Sequence, residues 1–243
     1  MEYYMQLSKR LKAVADLVTP GNRVADIGCD HAYTSIYLAK NDISPRIIAM
    51  DVNQGPIDRA NENIIKYGYE DKIETRKSDG LEKLREYEVD TIVIAGMGGA
   101  LTLQILTNHL PVMKSVKELI LQPQSEIYKV RQMLQEYGFL VTKENMLKED
   151  GKYYVMIKAL KKDVVSDTTK FELMKEEHFH YGRLLLEQKL PVLKEFLLWE
   201  ASICKGILDA LAVEESEKTQ VREAEIKEKL QLIDQGLKYF DLV

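Results

Sequence analysis

Several things are scarce in this chain of 243 residues, and each scarcity excludes something. No apolar run approaches the roughly 18 residues needed to cross a bilayer, and the opening Met1-Glu2-Tyr3-Tyr4-Met5-Gln6 lacks the basic-then-apolar order of a secretion signal. A soluble, cytoplasmic protein without membrane partners is expected. Cysteine occurs twice, at Cys29 and Cys204, and one bridge across so long a loop is weakly motivated in a domain-sized core, so both are expected as free thiols. Neither sign of charge dominates: 34 Lys and Arg stand against 39 Asp and Glu, for a net charge of −5. The balance is 21 against 22 over residues 1–160 and 13 against 17 over 161–243, so neither part is a polycation that coats nucleic acid. Were nucleic acid the substrate, shape and a few placed cations would have to select it. With 45% apolar and 30% charged residues, 13 Gly and 6 Pro, disorder and collagen-like repeats are also excluded.

What is present alternates. From Arg23 to about Leu160, short β-branched runs are separated by longer helical stretches, the pattern of a parallel sheet covered on both faces. Strands are predicted at 23–27, 46–50, 72–75, 89–95, 118–121, 140–147 and 153–159. Helices are predicted at 32–40, 56–67, 81–86, 100–108 and 124–137, with one before the first strand carrying Leu7, Leu11, Val14 and Leu17. Asp150-Gly151 marks a hairpin between the last two strands, so the parallel sheet should finish antiparallel, unlike a nicotinamide-binding sheet. A polar stretch, 161–170, separates this α/β domain, expected at 1–160, from a helical domain at 161–243. There Phe171, Met174, His178, Tyr181 and Leu185 step by threes and fours, as do Ile226, Leu230, Ile233, Leu237 and Phe240, giving two narrow coiled-coil-like seams. Leu193 to Val213 carries a broader stripe that includes Phe196, Leu197, Trp199 and Ile203, with breaks expected at Pro191 and 214–218.

Carboxylates stand at successive strand ends. The first strand runs into Asp26-Ile27-Gly28-Cys29-Asp30-His31, where Gly28 permits close backbone approach to a ligand; a tight turn with a capping aspartate is the alternative. The three-glycine dinucleotide pattern is missing, since Asp30 occupies the place of its second glycine, and a carboxylate facing a pyrophosphate would repel it. Asp51 ends the second strand, 25 residues after Asp26, at the spacing that grips a ribose diol. Asp79 follows the third. Three acidic tips suit a nucleoside with a cationic tail. The fourth strand opens into Gly96-Met97-Gly98-Gly99, where a doubly wound sheet usually places its acceptor, and the fifth ends in Gln122-Pro123-Gln124, whose amides suit either a base edge or a helix cap.

These strings together, Asp26 to Tyr33, Asp51 to Pro56, Asp79-Gly80-Leu81, Ala95 to Gly99 and Gln122-Pro123, resemble the successive motifs of bacterial tRNA adenine-N1 methyltransferases of the TrmK type, which act at tRNA position 22. The chain departs from that pattern at Cys29, Thr34-Ser35 and Gln124 and keeps every carboxylate. The resemblance implies a Rossmann-like class I methyltransferase domain, S-adenosyl-L-methionine as methyl donor, tRNA as partner and a coiled-coil-like C-terminal domain. The candidate donor-binding set is Asp26, Gly28, Cys29, Asp30, His31, Asp51, Val52, Ser78, Asp79, Gly80, Ala95, Gly96 and Met97. Toward tRNA the candidates are His31, Tyr33, Gly98, Gly99, Gln122, Pro123 and Tyr154, with Lys9 and Arg10 on the first helix. Asp79, then Asp30, is the carboxylate expected beside the reacting adenine. No metal is expected, since His178 and His180 have no accompanying ligand cluster. A small-molecule methyltransferase with a helical dimerisation tail, a nicotinamide oxidoreductase and a noncatalytic adaptor are the competing readings; the terminal hairpin and the missing glycine count against the second, the acidic tips against the third.

Overall fold

A computed structural model describes residues 7–212 and 217–241. The strands are β1 (Val24–Ile27), β2 (Ile47–Asp51), β3 (Ile73–Lys77), β4 (Thr91–Ala95), β5 (Glu118–Gln122), β6 (Phe139–Glu149) and β7 (Lys152–Lys161). They form one sheet in the order β3-β2-β1-β4-β5-β7-β6, parallel from β3 to β5, with β7 antiparallel to β5. The central strands read as unbroken apolar runs because both faces are covered: every residue of β1 and of β5 is buried. Chain order reverses direction between β1 and β4, so their carboxyl ends flank the crevice where open α/β sheets bind ligands.

The sheet-side helices are α1 (Lys9–Ala15), α2 (Tyr33–Lys40), α3 (Gln54–Tyr67), α4 (Gly99–Asn108), α5 (Leu110–Ser115) and α6 (Ile127–Glu136). Ser8 caps α1, its Oγ accepting from Leu11 N at 3.2 Å, and α1 packs against α2 and β5. The segment after α1 is fixed by a buried charge. Glu118, fully buried at the start of β5, accepts from Thr19 N at 3.0 Å and Thr91 Oγ1 at 2.9 Å and pairs with Lys158 at 2.8 Å. With Thr19 Oγ1 as a third donor the buried carboxylate is satisfied, and it ties the N-terminal segment to the sheet's lower edge. A second buried pair, Arg131–Glu144 at 2.8 Å, locks α6 to β6.

Two sequence expectations change in this unit. Leu81–Glu86 is not a helix but a set of turns. Leu81 and Leu84 are both buried, three apart, and Ser78 Oγ accepts from Lys83 N at 3.1 Å, so one turn satisfies the packing and nothing extends it. Conversely α5 was not anticipated; Pro111 sits at its first turn, where a missing N–H costs nothing.

The chain folds as two units: residues up to Asn145 together with Tyr154–Glu172, and Met146–Tyr153 together with the residues from Leu173 on. The expected division at residue 160 therefore differs from the observed one in two respects: two short turns, Lys162–Val164 and Thr169–Phe171, stay with the sheet, and the outer end of the hairpin joins the helical unit. The helical unit contains α7 (Arg183–Glu187), α8 (Pro191–Leu211) and α9 (Glu217–Asp241). Glu200 pairs with Lys229 and Leu197 meets Gly236, so α9 runs antiparallel to α8. The Ile226 to Phe240 seam holds, with Ile226 and Ile233 buried. The Phe171 to Leu185 seam holds only in its later half: His178, Tyr181 and Leu185 are buried, whereas Met174 is 77% exposed and precedes a widened helical turn, His178–Gly182. On α8 the buried stripe is Leu193, Leu197, Ala201 and Cys204, leaving Trp199 and Ile203 exposed. Trp199 instead joins Tyr153 and Phe196 in an aromatic cluster at the hairpin's outer end. Val213 and residues 214–216 of the expected break at 214–218 lie outside the described residues, while 217 and 218 already belong to α9.

Candidate active site

The turn from β1 to α2 adopts left-handed backbone at Gly28 (φ 73°), Asp30 (φ 45°) and Ala32 (φ 58°). Two of these are not glycine, and a left-handed L-residue costs on the order of 1 kcal/mol or more, so the surroundings must hold the turn. They do so from α3 and β2. Arg59 donates to Asp30 at 2.9 Å, Asn63 donates to the His31 carbonyl at 3.0 Å, and Met50 O accepts from both Gly28 N and Cys29 N. The turn thereby closes one side of a cleft of about 250 Å³ lined by Arg10, Leu11, Asp26, Gly28, Cys29, Asp30, His31, Tyr33, Thr34, Ala95, Gly96 and Gln124.

Asp26 lies at the floor of this cleft, 4% exposed, accepting from Ser35 Oγ at 2.7 Å. Burial pushes its carboxyl up to about 6, and the Ser35 hydrogen bond opposes the rise. Burial, reinforced by Asp26, Asp51 and Asp30, drives the Cys29 thiol far up, so it stays protonated and unreactive. On the rim, the His31 and Tyr33 rings stack at 5.4 Å with planes 12° apart, and Tyr33 is 38% exposed. Asp51, at the β2 tip, accepts from Asn53 N at 2.9 Å, and the following Val52 is exposed. Gly28 is favoured by its φ; a Cβ there would lie 2.2 Å from Met97 Cε, the mobile end of a flexible side chain.

Other candidates are placed differently. Asp79 and Gly80 line a neighbouring cavity of about 310 Å³ with Glu82, Leu101, Gln104, Ile105, Asn108 and His109, not the cleft that holds Asp26 and Asp30. Ser78 is buried and turned inward, accepting from Lys83 N. Of the glycine-rich string only Gly96 lines the cleft. Gly99 serves packing: its N donates to Ser125 Oγ at 3.1 Å, and a Cβ would come within 2.2 Å of the Ser125 carbonyl oxygen. Gly98 caps α4 beside Ser125, and Gln124 N donates to Met97 O, so the loops after β4 and β5 are joined to each other.

Lys9 is exposed, but Arg10 turns inward. Its Nη1 donates to Gln122 Oε1 at 2.7 Å, and its guanidinium sits 5.4 Å from the Tyr154 ring centroid. A guanidinium only donates, which fixes the Gln122 amide with its oxygen toward Arg10 and its nitrogen toward the Pro123 carbonyl. Sequence reasoning missed Ser35, Thr34, Leu11 and Arg59 as site residues. Ser35 carried a signal, a polar residue on the inward face of a short apolar helix; Arg59 and the second cavity's α4 residues become visible only once the elements are arranged. Among the described residues no group of three or more His, Cys, Asp or Glu is placed to hold a metal, and no helix is long and apolar enough to cross a membrane.

Residues 7–157 match the family model of the methyltransferase domain. The chain is 38% identical over 155 residues to the tRNA (adenine(22)-N(1))-methyltransferase of Bacillus subtilis (strain 168), a stretch that is 64% of this chain and 65% of that protein's length. Among solved structures, the B. subtilis M1A22 tRNA methyltransferase TrmK superposes with a TM-score of 0.85 at 30% identity, covering 96% of this chain and all of that one. M. capricolum TrmK in complex with S-adenosyl-homocysteine superposes with a TM-score of 0.81 at 27% identity, covering 96% and 98%.

Proposed function

This chain belongs to the TrmK family of methyltransferases, and on that premise we propose that it transfers a methyl group from S-adenosylmethionine to N1 of an adenine in tRNA, at position 22. The observation that carries the reading is the cleft's content: a buried carboxylate, a rim carboxylate, a guanidinium and an aromatic pair converge at the β1/β4 crevice. The residues fit the donor. Gly28 presents backbone without a Cβ, Asp26 and Asp30 suit cations, Asp51 suits a ribose diol, and Asp79 with its neighbours on α4 suits a purine amine. When bound, the donor supplies an electrophilic methyl on sulfur.

The rest is the chain's work. Adenine N1 is occupied in folded RNA, so the base must be extruded, at a cost of a few kcal/mol that stacking on the Tyr33–His31 pair offsets. The N1 lone pair is the nucleophile and needs no prior deprotonation; holding it in line with the methyl accounts for much of the acceleration, up to roughly 7 to 11 kcal/mol for ideal positioning. Positive charge then develops on the ring. Asp30, in the same cleft as the stacked pair, is better placed than Asp79 to stabilise it and accept the N6 proton. Lys9 and other surface lysines supply phosphate contacts, and the helical unit holds the tRNA body, since one base cannot be recognised without gripping the folded RNA.

The test is methyl transfer from labelled donor to a tRNA transcript with adenine at position 22 and to the same transcript with guanine there. Label in the first alone is expected. Label in a metabolite pool and in neither transcript would replace this reading with the small-molecule methyltransferase.

A further inference from the structure

The string Gln122-Pro123-Gln124 after β5 offers two amides, and the structure gives them different work. Gln122 is 1% exposed, its Oε1 accepts from Arg10 and its Nε2 turns to the Pro123 carbonyl, so it is engaged within the protein. Helix capping does not claim Gln124: α6 begins at Ile127 with Glu126 at its N-cap and no side-chain cap. Gln124 is instead exposed in the cleft, the one carboxamide among its lining residues, together with His31 and Tyr33. Its backbone is fixed, N donating to Met97 O at 2.8 Å, while its side-chain amide has no hydrogen-bond partner among the described residues. Nε2 lies 3.8 Å from where a Cβ on Gly96 would stand, so the amide reaches across the bare backbone of the β4 tip.

The chemistry restricts what such an amide can read. Adenine N1 must keep its lone pair toward the methyl, and a carboxamide laid along the edge that carries N1 would cover the nucleophile. The other edge presents N6–H beside N7, a donor next to an acceptor. One carboxamide matches that edge with two parallel bonds, Oε1 accepting from N6–H and Nε2 donating to N7. No other lining group does the same. The His31–Tyr33 stack holds a base by its face, which every base possesses. The ionised carboxylates only accept, and the Arg10 guanidinium only donates.

We propose that Gln124 reads the N6/N7 edge of the extruded adenine, and that it thereby selects the base and sets N1 toward the donor methyl. The proposal rests on the acceptor reading above and adds to it the residue that recognises the base. Gln124 touches substrate but moves no proton, so its part is specificity and positioning.

Methyl transfer to two tRNAs that differ only at position 22 tests this, one carrying adenosine and the other 7-deazaadenosine, which keeps N1 and N6 and replaces N7 by C–H. The wild type is expected to lose roughly 5- to 100-fold in kcat/KM on the 7-deaza substrate, the range for one bidentate base contact. Gln124→Leu should lose a similar factor on adenosine and nothing further on 7-deazaadenosine. Gln124→Glu, whose carboxylate accepts from N6 but repels the N7 lone pair, should favour 7-deazaadenosine, an inversion that a merely structural side chain would not produce. Calorimetry should find the S-adenosylhomocysteine affinity of Gln124→Leu within about twofold of wild type. A wild type indifferent to N7, the same 7-deaza penalty in Gln124→Leu as in wild type, or loss of S-adenosylhomocysteine binding in that variant overturns the assignment. A wild type that methylates neither tRNA instead sinks the acceptor reading itself, a result separable from failure of Gln124 alone.

Discussion

Two glycine-bearing strand tips, the turn after β1 and the loop after β4, carry the same sequence signal and do different things. At Gly28 the absent Cβ leaves room that only the flexible end of Met97 fills, and the residues around it are charged, strained and open to a cleft. At Gly99 the absent Cβ lets a loop close on the backbone of Ser125, and the result is a packed contact. Glycine in a strand-end loop marks close approach; what approaches, a ligand or another loop, depends on what stands opposite.

Substitutions can sharpen that contrast, beginning with the largest effect. Gly99→Ala drives a methyl into a carbonyl oxygen that cannot swing aside, and should cost about 3 kcal/mol in urea unfolding. The folded fraction should lose less donor affinity than Gly28→Ala does; a stability loss below 1 kcal/mol would mean the loop is not packed as described.

Asp26→Asn comes next and acts with opposite signs on stability and binding. Because burial raises the carboxyl from 3.8 to about 6, the folded chain holds its proton more tightly than the unfolded chain does. Asp26 is therefore without penalty below pH about 4, and stability is lost as pH rises through about 6. Asp26→Asn should stabilise the ligand-free protein at pH 8 by on the order of 2 kcal/mol, with no gain at pH 4, and should weaken the donor by roughly 10-fold or more. Thermal melts at the two pH values check the first part and calorimetry the second; a gain that is equal at both would assign it to something other than ionisation.

Gly28→Ala should cost about 1 to 2 kcal/mol, since an L-residue there must hold φ 73° while Met97 can move. It should nonetheless lower donor affinity at least about 10-fold by filling the cleft, in keeping with roughly 1.4 kcal/mol per decade. Smallest is Ser35→Ala, which removes a hydrogen bond to the ionised form of Asp26 and should move the pH midpoint of donor binding upward from about 6. A downward shift would contradict the geometry.

Much of this was legible beforehand because its cause is local. β-Branched runs, the Asp150-Gly151 turn and carboxylates at strand ends are set by nearby residues, and all seven strands occur close to where the pattern puts them. The failures have non-local causes. Phe171 to Leu185 has helical spacing throughout, yet continuous helical backbone begins only at Glu176, so Met174 lies before it and faces solvent. Trp199 lies on an apolar stripe by spacing and is drawn instead to Tyr153 and Phe196. Within the site, Asp26 and Asp51 could be read from the strand tips, but the separation of Asp79 from Asp30 into two cavities could not. Arg10, 112 residues from Gln122, reads as a surface cation until α1 is seen against β5.

The most direct measurement is the affinity of S-adenosylhomocysteine between pH 5 and 8 for the wild type and Asp26→Asn. If a buried anion at the end of β1 receives the ligand's ammonium, wild-type affinity should climb by up to about tenfold per pH unit below about 6 and level off above it, and the variant should be weak and flat. A flat wild-type profile, or the same climb in Asp26→Asn, would contradict the account.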